Sequence, residues 1–474
     1  MEQYPLYIDG KWVTSDKKIR VVNPATDDPF AEVSTTDRAG VKQALESAQD
    51  AFAQWSGMTG MRRGDYLLSI VALLTARSEE IARTITRENG KPIAQSKAEV
   101  SMTIDHFRWF AEEARRGYGR VVPHQADGKR NFVIRQAVGV VGAISPWNFP
   151  LVLAARKVAP ALAAGCTVVL KPASQTPVCA VELARCIDDA KLPAGVFHLV
   201  AGNASEIGAE LLENPICRKI SFTGSTEVGK QLIRGAASTC TRLSLELGGN
   251  APLLVFADAD LSTAVEGALT TKFRNTGQSC IASNRIYVER PIYDAFLASF
   301  TEKTKNLKVG NGLDDGIDIG AIVSRQALDA ALYYIDEAVT KGARLLCGGG
   351  RWGNRGNFLE PTVIADVPDN ALCSREEIFA PVAAIYPFST EEEAIKKAND
   401  TEFGLAAYAY TSNVNRVLRL AEKLEAGSIG INDAVPTTSN CPFGGFKMSG
   451  WGRELGSEGL DSFLETKHIS VGLG

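Results

Sequence analysis

The sequence predicts an α/β protein with two doubly wound domains and a small β element that pairs with another subunit. Residues 138–256 alternate short β-branched runs with amphipathic segments, which is typical of parallel strands joined by crossover helices. A second series of strands and helices begins at "APLLVF" (251–256). A chain of 474 residues is also too long for one compact core, so two or three domains are expected.

The first domain is predicted to begin with helices and to continue into a parallel sheet. Residues 40–120 are mostly helical, and "VKQALESAQDAFAQW" (41–55) has a clear apolar stripe. The strands predicted after it are "VGVVGAI" (138–144), "CTVVLKP" (166–172), "VFHLV" (196–200), "KISFTG" (219–224) and "RLSLEL" (242–247). Helices between these strands cover both faces of the sheet, and ligands of such sheets bind beyond the carboxyl ends of the strands.

The remaining elements define a second domain and a pairing element. "AIYPF" (384–388) and "SIGIN" (428–432) extend the second series, so residues 249–448 form the second α/β domain. The first domain takes residues 1–118 and 139–248. Polar strands with unpaired edges are predicted in 119–138 and in "FLETKHISVGL" (463–473). We assign 119–138 and 449–474 to an oligomerisation element and expect a homodimer or homotetramer.

Composition excludes several classes of protein. Hydrophobic residues make up 45% of the chain, charged residues 22%, and the net charge is −4, which is ordinary for a globular protein. Since no lysine and arginine block is present, nucleic acid is not an expected partner. The apolar run 151–170 contains Arg156, Lys157 and Pro160, so it predicts a helix and a strand and no membrane span. "MEQYPLYIDGKW" has no apolar core, and we expect no secretory signal and a cytoplasmic protein.

The cysteines and histidines argue against a disulfide framework and against a metal site. The nine cysteines are an odd number, and no two of them have the spacing of a zinc knuckle. The four histidines are isolated from one another, which leaves little material for a histidine-rich metal site. No metal is expected.

Cys280, in "NTGQSCIASNR" (275–285), is the first candidate for chemistry. A free cysteine is usually an inert buried residue, and for the other eight that is the expectation. Gly277 and the polar residues around it predict an irregular turn that exposes the thiol. A thiolate with a lowered pKa would attack an electrophilic carbon there.

Two further candidates follow predicted strands of the first domain. Glu246, in "SLELGGN", ends a strand, where it is either a solvated carboxylate or a general base whose pKa is raised by apolar surroundings. Asn148, in "ISPWNFP", lies between two prolines that either only shape a turn or hold its amide as a donor to an oxyanion.

Glycine-containing turns predict a phosphate site. "KPAS" (171–174) closes a strand, and "FTGSTEVG" (222–229) links a strand to a helix whose amino terminus favours negative charge. The spacing differs from G-x-G-x-x-G, so the pattern alone makes dinucleotide binding plausible without establishing it. "REEIFAPV" (375–382), with Glu377 and Phe379, would by itself be an ordinary helix start.

Taken together, these motifs resemble those of the aldehyde dehydrogenase superfamily. The set, in chain order, is "PWNFP", "KPAS", "FTGSTEVG", "LELGG", "GQSC", "EEIFAPV" and "PFGGFKMSG". "RKVAPALAAGCTVVLKPASQTP", "NDTEFGLAAY" and "LETKHISVGL" are similar to the succinate-semialdehyde dehydrogenase branch. The resemblance implies an aldehyde-dehydrogenase-like fold in which the first domain binds the dinucleotide and residues 249–448 are the catalytic domain.

The resemblance also implies roles for matching residues. Cys280 would be the nucleophile, Asn148 and the Cys280 N–H would hold the oxyanion, and Glu246 would activate the water that hydrolyses the thioester. The implied cofactor-binding residues are Trp147, Lys171, Ser174, Gly224, Ser225, Leu247, Glu377 and Phe379. NAD-preferring relatives commonly carry glutamate where this chain has Ser174. The charge of that glutamate would repel the 2′-phosphate of NADP, and serine removes the repulsion. We therefore expect NADP to be accepted and preferred, with NAD also usable.

For the substrate, the resemblance implies a short aldehyde with an acidic group, succinate semialdehyde first. Arg156 and Arg285 would bind its carboxylate, with Thr437 or Ser439 as the accompanying hydroxyl, although both arginines could also be structural. Glutarate semialdehyde, sulfolactaldehyde and lactaldehyde are alternatives, as is a non-catalytic binding relative. A coenzyme A-acylating dehydrogenase would keep the cysteine but would not need a base at Glu246, so the presence of Glu246 argues against that activity. Ala282 replaces a cysteine common in relatives, which excludes a local disulfide with Cys280, and Ala380 replaces a common glycine.

Overall fold

The computed structural model describes residues 1–473, so Gly474, the end of the predicted segment 449–474, lies outside the described residues. The helices are α1 (Arg38–Gly57), α2 (Gly60–Ala76), α3 (Ser78–Asn89), α4 (Ile93–Glu113), α5 (Val152–Ala164), α6 (Val178–Asp189), α7 (Ala204–Glu213), α8 (Thr226–Ala236), α9 (Leu261–Phe273), α10 (Arg290–Lys305), α11 (Arg325–Thr340), α12 (Leu372–Arg375), α13 (Glu391–Asn399), α14 (Val414–Lys423) and α15 (Gly456–Asp461).

The strands are β1 (Glu2–Tyr4), β2 (Leu6–Ile8), β3 (Lys11–Val13), β4 (Lys18–Asn23), β5 (Asp28–Ser34), β6 (Arg120–Val122), β7 (Lys129–Ala137), β8 (Val140–Ile144), β9 (Thr167–Lys171), β10 (Phe197–Leu199), β11 (Cys217–Thr223), β12 (Arg242–Glu246), β13 (Ala251–Val255), β14 (Ser283–Glu289), β15 (Arg344–Cys347), β16 (Thr362–Ala365), β17 (Val382–Phe388), β18 (Phe403–Gly404), β19 (Ala406–Tyr410), β20 (Ser428–Ile431), β21 (Phe446–Lys447), β22 (Gly450–Trp451) and β23 (Leu464–Gly472).

The first sheet is an open, mostly parallel sheet with the order β22-β12-β11-β8-β9-β10-β2-β3. The chain runs outward from β8 through β9 to β10, and then returns to the other side of β8 for β11 and β12. A crevice opens at such a reversal, beyond the carboxyl ends of the strands. The register aligns those ends, because Ile144 is opposite both Lys171 and Phe222, and Thr223 is opposite Glu246.

The second sheet has the order β15-β16-β17-β14-β13-β19-β20 and is parallel except for β15. Its central strands β13 and β14 begin side by side, with Ala251 opposite Ser283. Residues 247–250 lead directly from the carboxyl end of β12 to the amino end of β13. This short link brings the crevice of the first sheet against the loop that precedes β14.

Local sequence explains where the helices around the crevice begin and end. Ser225 caps α8, its hydroxyl accepting the N–H of Val228, and Glu227 follows in the first turn, where a negative charge is favourable. Helix α5 ends at Gly165, whose φ of 96° suits a residue without a side chain. The amino end of α8 is thereby fixed at the carboxyl edge of the first sheet, and the carboxyl end of α5 is fixed where the chain enters β9 at the opposite edge.

The predicted pairing element is a separate sheet with the order β23-β7-β6. Strand β23 runs antiparallel to β7 along nine residue pairs, from Leu464 opposite Ala137 to Gly472 opposite Lys129. The predicted start of the element at 449 is wrong, however, because β22 joins the first sheet through Trp451 opposite Leu245. Only the end of the 449–474 segment belongs to the pairing sheet. Within residues 1–473, no helix has both the length and the apolarity needed to cross a lipid bilayer.

Candidate active site

The loop before β14 has an unusual backbone. Asn275 and Thr276 have φ of 55° and 56°, and Gly277 follows at 71°. Positive φ at a β-branched residue such as Thr276 is rare and costs about 1–3 kcal/mol, so surrounding contacts must hold the loop in this shape. A Cβ at Gly277 would lie 2.2 Å from the Ala380 carbonyl oxygen, so glycine is required there. The irregular turn predicted from "GQSC" is confirmed.

Contacts from the second domain stabilise the loop. The Thr276 hydroxyl accepts the N–H of Gly320 at 3.1 Å, and the Gln278 side-chain oxygen accepts that of Val323 at 3.0 Å. The strained turn therefore delivers Cys280 to a defined position.

Cys280 lies where two cavities meet. Among the described residues, it is the one that lines both the cavity at the carboxyl edge of the first sheet and a second cavity toward α4 and α5. Its side chain is half-buried. Burial raises the pKa of the thiol to about 12, Glu377 and Glu246 act in the same direction, and Arg156 opposes them. This direction is opposite to the lowered pKa expected from the sequence, so the thiol needs a base.

Glu246 ends β12 as a buried carboxylate. It is 3% exposed, and neither carboxylate oxygen has a hydrogen-bond partner among the described residues. Burial raises its pKa well above the usual range, and the nearby Glu454 carboxylate adds to this while Lys157 opposes it. Lys157 itself bonds Glu454 and the Thr223 hydroxyl, both at 2.6 Å. A carboxyl group with a raised pKa is suited to proton transfer near neutral pH.

The two glycines after Leu247 permit the approach of the two domains. A Cβ at Gly249 would lie 2.2 Å from the Cys280 carbonyl oxygen, so any larger residue would displace the loop. Gly248 has somewhat more room than Gly249, but a Cβ there would still lie 3.0 Å from a Glu377 carboxylate oxygen. The "LELGG" motif therefore brings the end of β12 against the loop that carries Cys280, and Leu247 and Gly248 line the first cavity with Cys280, whereas Glu246 is buried behind its wall.

Asn148 lies in the turn after β8 and is almost completely buried, at 4% exposure. One N–H of its amide donates to the Gln278 carbonyl at 3.3 Å, which leaves the second N–H for another acceptor. Its own backbone carbonyl accepts from Lys91 at 2.7 Å and from Asn275 at 2.9 Å. Asn148 is thus held between Lys91 of the first domain and the loop 275–280 that carries Cys280.

The cavity at the carboxyl edge of the first sheet contains most of the predicted cofactor residues. Of these residues, the cavity is lined by Trp147, Gly224, Ser225, Leu247, Glu377 and Phe379. Trp147 and Phe379 pack edge to face, with ring centroids 5.3 Å apart. Burial raises the pKa of Glu377 to about 8, and one of its oxygens accepts the Gly249 N–H at 3.1 Å.

These groups fit the nicotinamide half of a dinucleotide. The amino terminus of α8 favours the pyrophosphate, the second Glu377 oxygen suits a ribose hydroxyl, and the aromatic pair provides a flat wall. Gly229 makes room for Leu247, a residue of the cavity wall, because a Cβ at Gly229 would lie 2.6 Å from the Leu247 side chain. Its small size is therefore not needed for the approach of a phosphate.

Lys171 and Ser174 lie at the end of β9, beyond the residues that line this cavity. Lys171 is buried, its ammonium donates to the Pro172 carbonyl at 3.0 Å, and burial lowers its pKa. Ser174 is exposed. Strand β9 is next to β8, whose carboxyl end borders the cavity, so Lys171 and Ser174 lie to one side of it, where the adenosine ribose of a dinucleotide would extend. The role of these two residues remains a prediction.

The second cavity combines apolar walls with two guanidinium groups. Its aromatic walls come from Phe149, Tyr408 and Phe443. Arg156 also lines it, lies over the Phe443 ring at 4.9 Å, and its buried Nε has no hydrogen-bond partner among the described residues. Arg274 is the second guanidinium. Sequence reasoning missed Arg274, although it stands only six residues before Cys280.

The expectation that Arg285 binds substrate is wrong. Arg285 is 1% exposed and does not line the cavity. Its guanidinium donates to the carbonyls of Asn250, Lys397 and Ala398 and to the Tyr287 hydroxyl. These five hydrogen bonds use all its N–H groups, so Arg285 joins the end of α13 to the start of β13 and has no donor left.

Of the two predicted hydroxyls, Thr437 lines the cavity and Ser439 does not. The Thr437 Oγ1 is buried without a hydrogen-bond partner among the described residues. Across residues 1–473, no cluster of three or more histidine, cysteine, aspartate or glutamate side chains is placed to hold a metal ion.

Residues 12–469 match the aldehyde dehydrogenase family, and the chain belongs to that family. Succinate-semialdehyde dehydrogenase [NADP(+)] GabD of Escherichia coli K12 is 46% identical over 98% of this chain and 97% of its own. Glutarate-semialdehyde dehydrogenase of Pseudomonas aeruginosa is 45% identical, with the same coverage of both chains.

The fold comparison agrees with the family assignment. The crystal structure of succinate-semialdehyde dehydrogenase from Burkholderia pseudomallei superposes with a TM-score of 0.98 at 42% identity, covering 99% of this chain and 98% of that one. The predicted fold class is confirmed, and the chain is an NAD(P)-dependent aldehyde dehydrogenase.

Proposed function

We propose that this chain oxidises a short aldehyde with a distal acidic group, succinate semialdehyde being the first candidate. The observation that carries the proposal is the position of Cys280, which lines a cavity suited to the nicotinamide and a second cavity that contains Arg156 and Arg274. An aldehyde in the second cavity has its carbonyl carbon next to the sulfur and its acidic end among cations.

The cofactor would be held by the residues around the first cavity. Ser225 and Gly224 would hold the pyrophosphate at the start of α8, Glu377 would bind the nicotinamide ribose, and Trp147, Leu247 and Phe379 would enclose the ring. A dinucleotide bound there would supply the acceptor for the hydride of the aldehyde carbon. The chain's own residues supply the nucleophile, the proton transfers and the orientation of the substrate.

Cys280 adds to the aldehyde carbon to give a thiohemiacetal oxyanion. The Asn148 amide, with one N–H still available, and the Cys280 backbone N–H stabilise this oxyanion, and each donor of this kind contributes about 10²–10³ in rate. Because the pKa of the thiol is raised, its proton has to be removed as the aldehyde arrives.

Glu246 is the general base. Its unpartnered oxygens are available both to the thiol proton and to the water that later hydrolyses the thioester. Its raised pKa makes its carboxylate a stronger base than that of an ordinary glutamate. A base at this position supports hydrolysis to the free acid over transfer to coenzyme A.

The acidic end of the substrate is bound by Arg156 and Arg274, with the Thr437 hydroxyl beside them. Arginine holds a carboxylate through two parallel hydrogen bonds. Glutarate semialdehyde is longer than succinate semialdehyde by one methylene group and is the second candidate. A sulfonated aldehyde and lactaldehyde are further candidates. We give succinate semialdehyde priority because of the similarity to the E. coli enzyme.

Ser174 and Lys171 support NADP as the preferred cofactor, with NAD also used. An exposed serine at this point adds no negative charge against a 2′-phosphate, and the Lys171 ammonium is a nearby cation.

The assembly is proposed to be a homodimer or homotetramer paired through the β23-β7-β6 sheet. On the outer strand β6 the Val121 side chain is 70% exposed, and Tyr118, just before this strand, is 72% exposed. These apolar side chains would be covered if a second subunit paired there. The compartment is proposed to be the cytoplasm, since all nine cysteines are free, which is usual where thiols stay reduced.

The test is steady-state kinetics on matched aldehydes with NADP and with NAD. We expect kcat/KM to be highest for succinate semialdehyde, lower for glutarate semialdehyde, and at least about 10-fold lower for uncharged butanal, because the arginines then bind no acid. Equal kcat/KM for succinate semialdehyde and butanal would contradict the acidic-substrate proposal. Loss of oxidation in Cys280→Ala, with cofactor binding retained, tests the nucleophile separately.

A further inference from the structure

A buried ion pair lies directly behind the turn that carries Asn148. Lys91, just after α3, places its ammonium 2.7 Å from the Glu99 carboxylate on α4, and neither side chain is exposed to solvent. Removing two charges from water is expensive, and such a pair seldom adds to net stability. The contacts that these two residues make suggest a different purpose.

The Lys91 ammonium concentrates its contacts in one small region. It donates to Glu99 and, at 2.7 Å, to the Asn148 carbonyl, and it lies 4.0 Å from the centre of the Phe149 ring. A charged donor to the Asn148 carbonyl is stronger than a neutral one. Lys91 therefore fixes both the peptide of the oxyanion donor and the aromatic residue that follows it in the aldehyde cavity.

The Glu99 carboxylate holds the next part of the same segment. Its other oxygen accepts the N–H of Leu151 at 2.9 Å and of Val152 at 3.2 Å, where α5 begins. Since α5 also carries Arg156, one carboxylate links the ammonium behind Asn148 to the helix that reaches into the aldehyde cavity.

The same carbonyl is also held from the other domain. The Asn275 amide of the strained loop donates to the Asn148 carbonyl at 2.9 Å and to the Gln278 carbonyl at 2.7 Å. The Asn148 carbonyl is thus held by donors from both domains, among them the Lys91 ammonium and the Asn275 amide of the loop that carries Cys280.

We propose that Lys91 and Glu99 are a positioning pair that sets the Asn148 amide relative to Cys280 and orients the start of α5. The inference rests on the proposed role of Asn148 as oxyanion donor. The pair does not touch the substrate. It acts by preventing a displacement of Asn148, and a misplacement of about 1 Å in an active site lowers the rate by about 10²-fold.

The variant that tests the pair removes both charges. Lys91→Met alone would strand a buried carboxylate and destabilise the protein for an unrelated reason. In Lys91→Met/Glu99→Gln no buried charge is left unpaired, and the side-chain carbonyl of the introduced glutamine can still accept the N–H groups of Leu151 and Val152. Lys97→Met is the matched control, because Lys97 is an exposed lysine on the same helix α4, bonded at the surface to Glu79.

The experiment compares kcat, KM, cofactor Kd and Tm for the wild type, the pair variant, Asn148→Ala and the triple variant. We expect the pair variant to lose between about 10-fold and 100-fold in kcat/KM, with an unchanged Kd for NADP and a Tm close to the wild type. Because the pair acts through Asn148, the triple variant should be no slower than Asn148→Ala. Lys97→Met should behave as the wild type.

An additive loss in the triple variant, or full activity in the pair variant, would overturn the proposal. Full activity in Asn148→Ala would instead overturn the oxyanion role on which it rests, so the two failures are distinguishable. Glu99→Gln alone, measured in the wild-type and Asn148→Ala backgrounds, gives the same comparison if the pair variant does not fold.

Discussion

Arg156 and Arg274 line the same cavity and lie close enough for their charges to interact. Burial lowers the pKa of the Arg274 guanidinium, and the positive charge of Arg156 acts in the same direction. Arg156 has one distant carboxylate, Glu454 at 4.0 Å, and that group is already bonded to Lys157 at 2.6 Å. Two cations held together in this way favour the binding of an anion between them.

Arg274→Gln should therefore weaken the binding of acidic aldehydes selectively. The loss of a charged hydrogen bond, about 1.5–3 kcal/mol, predicts a rise in KM for succinate semialdehyde of about 10-fold to 150-fold, with little change for butanal. Arg285→Gln is the matched control, which should lower Tm and leave the ratio between the two aldehydes unchanged. A change of that ratio in Arg285→Gln would contradict the assignment.

Ser174→Glu should shift the cofactor preference toward NAD. The new carboxylate would repel the 2′-phosphate of NADP and accept hydrogen bonds from the free 2′-hydroxyl of NAD. The ratio of kcat/KM for the two cofactors should move by at least about 10-fold, equivalent to about 1.4 kcal/mol. Gln175→Glu is the control, because it adds the same charge at the next position, which is also exposed. An equal shift in that variant would mean that the effect comes from added negative charge in general and not from a contact at position 174.

Glu246→Gln should slow the first half of the reaction near neutral pH, because the Cys280 thiol then lacks its base, and should block hydrolysis of the thioester. A glutamine cannot take a proton from water, so the thioester would persist, and kcat should fall by at least about 10²-fold. In stopped-flow measurements at high pH we expect one equivalent of reduced cofactor per active site, followed by a very slow phase. In the wild type, kcat should rise with pH as Glu246 loses its proton, at a pH well above the usual glutamate range. Wild-type kcat in the glutamine variant would exclude Glu246 as the base.

Alkylation of the free enzyme by iodoacetamide should accelerate with pH and show no plateau between about pH 7 and 9. Only the thiolate reacts, and with a pKa near 12 its fraction grows about tenfold per pH unit throughout this range. Loss of activity is the measurement, because the exposed Cys240 and Cys441 also react without contacting the site. A rate that levels off near neutral pH would show a thiolate already present in the free enzyme.

Gly249→Ala should abolish activity in a protein that still folds. The new Cβ would lie 2.2 Å from the Cys280 carbonyl oxygen, so the catalytic loop must move away from Glu246. Gly208→Ala is the control, since that helical glycine has open space at its Cβ position and alanine there is expected to stabilise by about 0.5–1 kcal/mol. Near-normal kcat in Gly249→Ala would mean that the loop has more freedom than its contacts indicate.

Much of the fold could be predicted because its signals are local. The β-branched runs at 138–144 and 219–224 correspond to β8 and β11, and the amphipathic segment between 151 and 164 is α5. Cys280, Glu246 and Asn148 were singled out in the same way, since Glu246 ends a strand and the other two stand in turns directly before or after one. The start of the pairing element could not be predicted, because β22 is two residues long and its pairing with β12 is a long-range contact.

The sequence by itself determined the alternation of strands and helices, the strained turn before Cys280 and the identity of the groups available for chemistry, because these depend on side chains a few residues apart. Only the tertiary structure decided which arginine lines the cavity beside Cys280. Arg274 and Arg285 are eleven positions apart, but packing directs the first into the cavity and surrounds the second with backbone carbonyls. It also decided that Lys91, 57 residues from Asn148, donates to the Asn148 carbonyl, since such contacts exist only after the helices have packed on the sheet.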